Sequence, residues 1–208
     1  MIESAHGIIL RTRPLTETSL IVNWLTAEHG RISTAAKGAR RPKSPYAGKL
    51  DLFYEAEFTF TRSRKSELHA LREVGLPETH ATLRQELGWL QQAGYVAALI
   101  EQTTERETPL PGIYALLKDF LAYLPQQLPQ ARTVYAFELK LLDELGLRPD
   151  LSDSKLSAPT QALVNGLTDT PWQELNTLTA SAAQARELRQ FLHGFMIFHL
   201  GKIPANRP

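Results

Sequence analysis

The sequence predicts an α+β chain: a small five-stranded β-barrel at the N-terminus, packed on a C-terminal α-helical domain. Two observations carry the prediction. Apolar residues up to about position 75 alternate with period two, and those beyond it recur with a helical period. The change falls at Gly75-Leu76-Pro77, with no flexible linker, so the barrel domain is expected over residues 1–78 and the helical domain over 79–208.

The strands are expected at His6–Arg11, Leu20–Leu25, Arg31–Ala36, Phe53–Phe60 and Glu67–Val74. In the second, Leu20, Val22 and Trp24 share one side and Ile21, Asn23 and Leu25 the other. In the fourth, Tyr54, Ala56, Phe58 and Phe60 oppose Phe53, Glu55, Glu57 and Thr59. Turn-forming stretches separate them: RPLTET, EHG, the Gly/Pro/Ser-rich 38–48 and TRSRKS. Five short strands so punctuated make the OB-fold, a five-stranded Greek-key barrel, the economical choice.

Beyond the boundary, Leu83, Leu87, Leu90, Gly94, Ala97 and Ile100 form one helix face. Ile113, Leu116, Leu117, Phe120, Leu121 and Leu124 form a second. Val134, Phe137, Leu141 and Leu145 form a third, stopped by Gly146 and Pro149. Two short helices are expected near 159–165 and 171–176. A last helix carries Leu188, Phe191, Leu192, Phe195, Met196 and His199, with Ser181 as N-cap. Its phenylalanines read as core, or as a groove for a partner's peptide.

Composition excludes several classes. Of 208 residues, 43% are hydrophobic and 22% charged, which argues against a disordered chain. No apolar run approaches the ~20 residues that span a bilayer, and MIESAHGIIL lacks the basic start of a signal peptide, so a cytoplasmic protein without membrane contact is expected. Cysteine is absent, which removes disulfides, cysteine nucleophiles and thiolate metal sites. GxxxxGK[ST], GxGxxG and HExxH do not occur. The six histidines are scattered, and neither Asp150/Asp153 nor Glu55/Glu57 has a nucleophile or histidine beside it. No catalytic residue, metal or cofactor is therefore expected, and the chain reads as a binding protein rather than an enzyme.

The net charge of +1 conceals an asymmetry. Residues 1–80 carry 12 Lys/Arg against 9 Asp/Glu, and residues 81–208 carry 11 against 13. Arg31, Lys37, Arg40, Arg41, Lys43 and Lys49 fall within nineteen residues that contain no acid. A solvated surface loop mixes signs, so this run predicts contact with a polyanion. Lys and Arg would meet phosphates, Pro42 and Pro45 would stiffen the loop, and Tyr46 would offer a ring for a base to stack on. Arg62, Arg64 and Lys65 form a second cluster in a turn, either the rim of a binding face or a solvated turn. Arg11 and Arg13 end the first strand, either extending this surface or, as the commoner reading, serving as ordinary strand-end charges.

Several segments are similar to one bacterial family. His6–Pro14, Thr16–Leu20, Leu25–Arg31 and Ala36–Ser44 follow, in order and spacing, the N-terminal pattern of RecO, a recombination-mediator and DNA-repair family. Leu68–Gly75 matches its fifth-strand region. Phe137–Leu139, Leu145–Leu147 and Leu200–Pro204 match more loosely. The resemblance implies an N-terminal OB-fold and a helical domain, binding of single- and double-stranded DNA, and strand annealing. It also implies work with RecR to load RecA onto DNA coated by single-strand-binding protein, whose C-terminal tail family members bind. DNA contacts would fall on Lys37, Arg40 and Arg41, with Lys43 nearby; Arg132 and Lys140 on the third helix are candidates for the tail. Many members carry a four-cysteine zinc module where this chain reads Asp150–Ser154, so zinc is not expected. With Lys202 near the end, a basic C-terminal tail that adds to DNA affinity is not expected either. The remaining alternative is an OB-fold adaptor whose main ligand is another protein.

Overall fold

A computed structural model describes residues 1–205 and 207. Five strands, β1 (Ile2–Pro14), β2 (Leu20–Thr26), β3 (Gly30–Ala36), β4 (Glu55–Thr61) and β5 (Leu68–Glu78), close into a barrel in the order β1-β2-β3-β5-β4. All pairings are antiparallel except β3 with β5. This is the topology of the OB-fold.

β1 is longer than its sequence pattern suggests because it serves two neighbours. Ile2–Ile8 pair with β4, and Gly7–Pro14 pair with β2. At Gly7 both sides are occupied, and a Cβ there would lie 2.9 Å from the Leu25 carbonyl oxygen, so only glycine fits. The β1–β2 register slips between Ile9 and Arg11; the extra residue, Leu10, is 5% exposed and packs among the helices.

Inside the barrel, Ile9, Val22, Trp24, Ile32, Ala56, Phe58, Phe60, Leu71 and Val74 pack together. The Trp24 and Phe58 rings stack at 4.1 Å, and the Trp24 indole donates to Thr34 Oγ1 at 2.8 Å. The outer side of β1 and β2 is apolar too. Ile8, Leu10, Leu25 and Phe53 belong to the core that the helices build. That is why LIVNWL is apolar at both parities: one side fills the barrel and the other meets the helices.

The helical part comprises α1 (Leu87–Thr103), α2 (Pro111–Tyr123), α3 (Ala131–Glu144), α4 (Ala158–Asp169) and α5 (Ala182–Leu200), with 3₁₀ turns at Ala81–Gln85, Leu124–Gln126 and Trp172–Thr177. α1 and α2 pack against the barrel, α3 lies on α2, α4 on α3, and α5 on α4. Ser181 caps α5 through a capping box with Gln184.

Two expectations are corrected. The fourth strand begins at Glu55, not Phe53. Phe53 adopts φ 66°, sits in the helical core and ties its N–H to Ile9 O at 2.9 Å, so it ends the preceding loop. The first helical face is interrupted as well: Leu83 lies in a separate 3₁₀ turn, and Leu87 begins α1 exposed, because the Glu86 carboxylate caps Gly88 N–H there.

Candidate nucleic-acid interface

The β1–β2 turn is locked by Thr16, whose hydroxyl oxygen accepts the N–H of Ser19 at 3.1 Å, while Leu15 N–H donates to Ser19 O. The turn therefore presents two acceptors to the segment that follows β3. Thr18 O receives the Arg40 N–H at 2.9 Å, and Ser19 Oγ receives the Gly38 N–H at 3.2 Å. Successive turns continue the loop, with Arg41 N–H donating to Gly38 O, Ser44 N–H to Arg41 O and Ala47 N–H to Ser44 O. Gly38 holds φ 71°, the left-handed conformation that lets the chain fold back on this turn.

This scaffold leaves Lys37, Arg40, Arg41 and Lys43 exposed, and none of the four makes an ion pair among the described residues. Asp51, the first acid after them, is engaged by Arg84 at 2.8 Å. Pro14, Leu20 and Ala36 stand in one row across β1, β2 and β3, so Arg13 and Lys37 flank that row with their backbones about 12 Å apart. Arg13 is also exposed and unpaired among the described residues, and it extends the cationic edge. The sequence leaves Arg13 open between an extension of the surface and an ordinary strand-end charge, because the strand pairing that brings it beside the loop is long-range.

Four residues expected to touch nucleic acid have structural partners instead. Tyr46 is 8% exposed; its ring packs in the barrel core, and its hydroxyl lies 3.0 Å from both Leu71 O and Arg72 O. No face of it is open to a base, and burial pushes its phenol pKa up. Lys49 donates to Val74 O at 3.0 Å. Arg31 donates to Thr104 Oγ1 at 2.7 Å and to Thr104 O, pinning β3 to the end of α1, and its desolvation there lowers its pKa. Arg62 binds the Glu3 carboxylate with two nitrogens and Glu107 with a third. That hydrogen bonding holds Glu3 below the usual carboxylate range.

Arg64 and Lys65 are exposed and unpaired among the described residues, but they lie elsewhere. Their turn neighbours Arg106 and Glu107, which meet β3 at Arg31. The loop leaves β3 at its other end, about 20 Å away at 3.3 Å per residue. That exceeds the ~8 Å Debye length at physiological salt, so the two groups act as separate patches. The outward residues of β2 and β3 between them are tied to α1 or to each other: Asn23 donates to Glu101 at 3.0 Å, and Ser33 donates to Asn23. The face on which OB-folds commonly take oligonucleotides is thus partly closed here.

On α3, Arg132 donates to Leu178 O and to Asn176 Oδ1, and Lys140 donates to Thr168 O at 2.7 Å and Thr170 O at 2.8 Å. Both tie α3 to the segments around α4, and neither is a free cation awaiting a carboxylate. The phenylalanines of α5 divide: Phe191 and Phe195 are half-buried and pack against the helical core, whereas Phe198 is 83% exposed.

The chain is a closed OB barrel that carries a cationic loop beside its β1–β2 turn and packs on a helical domain, an architecture that in other proteins binds oligonucleotides and oligosaccharides. Comparison with known proteins narrows it. Residues 1–80 match the family model described as Recombination protein O N terminal, and residues 84–155 match Recombination protein O C terminal. The chain belongs to the RecO family. It is 30% identical over 203 residues to a protein of Xanthomonas euvesicatoria named DNA repair protein RecO, covering 97% of this chain and 82% of that one. Proteins of the same name from Exiguobacterium sibiricum and Bacillus subtilis are 28% and 30% identical over 78% and 73% of this chain. The matched segments span 64% and 59% of those relatives' lengths. Among the described residues, no helix is long and apolar enough to cross a membrane, and no three His, Asp or Glu side chains are grouped to hold a metal ion.

Proposed function

We propose that the protein is a DNA-binding recombination mediator. It binds single- and double-stranded DNA through Lys37, Arg40, Arg41 and Lys43, with Arg13 at the edge, and brings complementary strands together. With RecR, it helps load RecA onto DNA coated by single-strand-binding protein, acting in the cytoplasm at the nucleoid. The partners rest on family membership. The DNA contact rests on one observation: four adjacent exposed bases, free of carboxylates among the described residues, on a loop whose backbone is held at both Gly38 and Arg40.

The mechanism is electrostatic and involves no bond chemistry. Two strands repel through their phosphates; a cationic loop neutralises part of that charge, and base pairing then supplies the free energy of annealing. Four contacts to a single strand give a salt slope of about −2.8, hence about 50-fold weaker binding between about 50 and 200 mM salt. Sequence preference is weak, because phosphate contacts carry no base code.

The test is strand annealing in the presence of single-strand-binding protein, scanned against salt, for the wild type and for Arg40→Ala/Arg41→Ala. The double variant is expected to anneal more slowly and to flatten the binding slope by about 1.4. An unchanged slope removes the loop from the interface.

A second reading, an adaptor whose main ligand is a protein, draws on the exposed Phe198 beside Phe191 and Phe195. It predicts partner binding that persists at salt high enough to strip DNA.

A further inference from the structure

Helix α5 shows three faces of different chemistry. Leu188, Leu192 and Met196 are buried in the helical core. Glu187, the helix's one acid, turns toward α4, where its carboxylate accepts the Ser157 N–H at 2.8 Å and the Ser157 hydroxyl at 2.7 Å. Arg186, Arg189 and His193 stand on the third face at spacing i, i+3, i+7, all exposed and without an ion pair among the described residues. They line an open groove whose other wall is Ile203 and Pro204. Arg207 reaches the same groove, but its charge is matched by Glu138, which it grips with two nitrogens.

We propose that this stripe is a second phosphate-contact surface, which holds a second DNA strand while loop 37–43 holds the first. The inference rests on the DNA-binding reading above and extends it. The two arginine charges and the histidine ring, which offers an N–H donor in either protonation state, form a row, not a cluster around a point. Seven residues at 1.5 Å give a row of about 10 Å, the axial rise of about three successive phosphates on one strand. A regular polyanion matches such a row. The helix face carries no opposing acid, so the complementarity is of one sign.

The two surfaces are separated by the helical layer, because the barrel packs on α1 and α2 whereas α5 packs on α4. They therefore do not press two strands into contact. They tether one segment of each strand to the same molecule and leave the remainder free. Tethering of this kind raises the effective concentration of one strand near the other to about the millimolar range, far above that of dilute strands in solution.

The experiment uses the full chain and a short oligothymidylate of about eight nucleotides, within one OB-fold footprint, so that one strand cannot reach both surfaces. Native mass spectrometry reads how many strands bind per protein at low salt. Two are expected for the wild type, one for Arg186→Ala/Arg189→Ala, and one, the weaker, for Lys37→Ala/Arg40→Ala/Arg41→Ala. One strand on the wild type, or two on the α5 variant, overturns the second surface and leaves the loop reading intact. No strand on the wild type overturns both. A decaglutamate that binds the wild type but not the α5 variant, with DNA stoichiometry equal in the two, reassigns the stripe to an acidic peptide and overturns the proposal.

Discussion

The backbone N–H of Arg40 donates to the carbonyl oxygen of Thr18 at 2.9 Å, so the cationic loop is bolted to the β1–β2 turn by main-chain atoms. The charges therefore sit on a pre-ordered frame, and binding need not freeze the loop. Each loop residue left disordered in the free protein would otherwise cost about 1–2 kcal/mol of backbone entropy on binding.

Gly38 tests that frame without touching a charge. Its φ of 71° suits glycine, and an added Cβ would meet only the Arg41 side chain at 3.5 Å, so space is not the obstacle. Gly38→Ala is expected to cost ~1–2 kcal/mol in left-handed strain and to weaken oligonucleotide binding about five- to thirty-fold. The salt slope stays at its wild-type value, because every base remains. Fluorescence anisotropy at several salt concentrations measures both, and wild-type affinity would show that loop conformation does not matter.

Tyr46 separates a structural ring from a stacking one. Tyr46→Phe removes the hydroxyl shared by Leu71 O and Arg72 O and keeps the ring in the barrel core. Stability is expected to fall by about 0.5–1.5 kcal/mol. For a chain of this length that lowers Tm by about 2–4 °C per kcal/mol. DNA affinity well below Tm is expected to be unchanged in Tyr46→Phe. In the larger truncation Tyr46→Ala, any loss is expected to follow the fraction unfolded. An affinity loss in Tyr46→Phe with no loss of stability would return the residue to the interface.

What could be read from the sequence and what could not follow from one distinction. Period-two alternation in β2 and β4 is a local property, and it located both strands because Val22, Trp24, Phe58 and Phe60 all point into one barrel. The run of bases from Lys37 to Lys43 is local as well. The fates of Arg31, Arg62, Tyr46 and Lys49 depend on partners far along the chain: Thr104, Glu3 and Glu107, Leu71, and Val74. No spacing rule reports such pairings. A base in a strand or turn looks the same in sequence whether it meets a phosphate or a carbonyl. Phe53 misled for a related reason, since its apolar character was read as strand and it serves as a loop anchor in the helical core.

Lys140 and Arg132 give the converse case, cations whose work is internal. Lys140 closes two carbonyls at the end of α4, and its ammonium lies 5.6 Å from the centre of the Trp172 ring. Lys140→Met keeps the stem and deletes the donor, so two carbonyls lose a charged partner. The expected cost is about 1.5–3 kcal/mol, read by urea unfolding, with oligonucleotide affinity unchanged. A variant as stable as the wild type that fails to bind an acidic peptide would restore Lys140 as a partner contact.

Two buried groups contribute to the acid limb of stability, and their windows differ. His69 is 1% exposed and lies on Phe60; its Nδ1 accepts the Ser63 N–H, and Glu107 stands 3.3 Å from its other nitrogen. Burial lowers its pKa, and Glu107 only partly offsets that. Below about pH 6.5 the unfolded chain takes up a proton that the folded one resists, so stability falls as pH drops through that value. Glu55 is 3% exposed, and burial alone would raise its pKa. Hydrogen bonds from Lys118 at 2.7 Å and Tyr114 at 3.0 Å outweigh burial and leave it below the ordinary carboxylate value. Its contribution is present above about pH 4.3 and is lost as pH falls through the folded value. Urea unfolding from neutral pH down to about pH 3.5 should therefore show two successive losses. His69→Gln is expected to reduce the first, to which His80, also held down by burial, contributes as well, and to leave the second. Glu55→Gln is expected to lower stability at neutral pH and to reduce the second loss, to which Glu3, held down by Arg62, also contributes. A wild-type stability that stays constant between about pH 7 and 5 would contradict the burial of a neutral imidazole at His69.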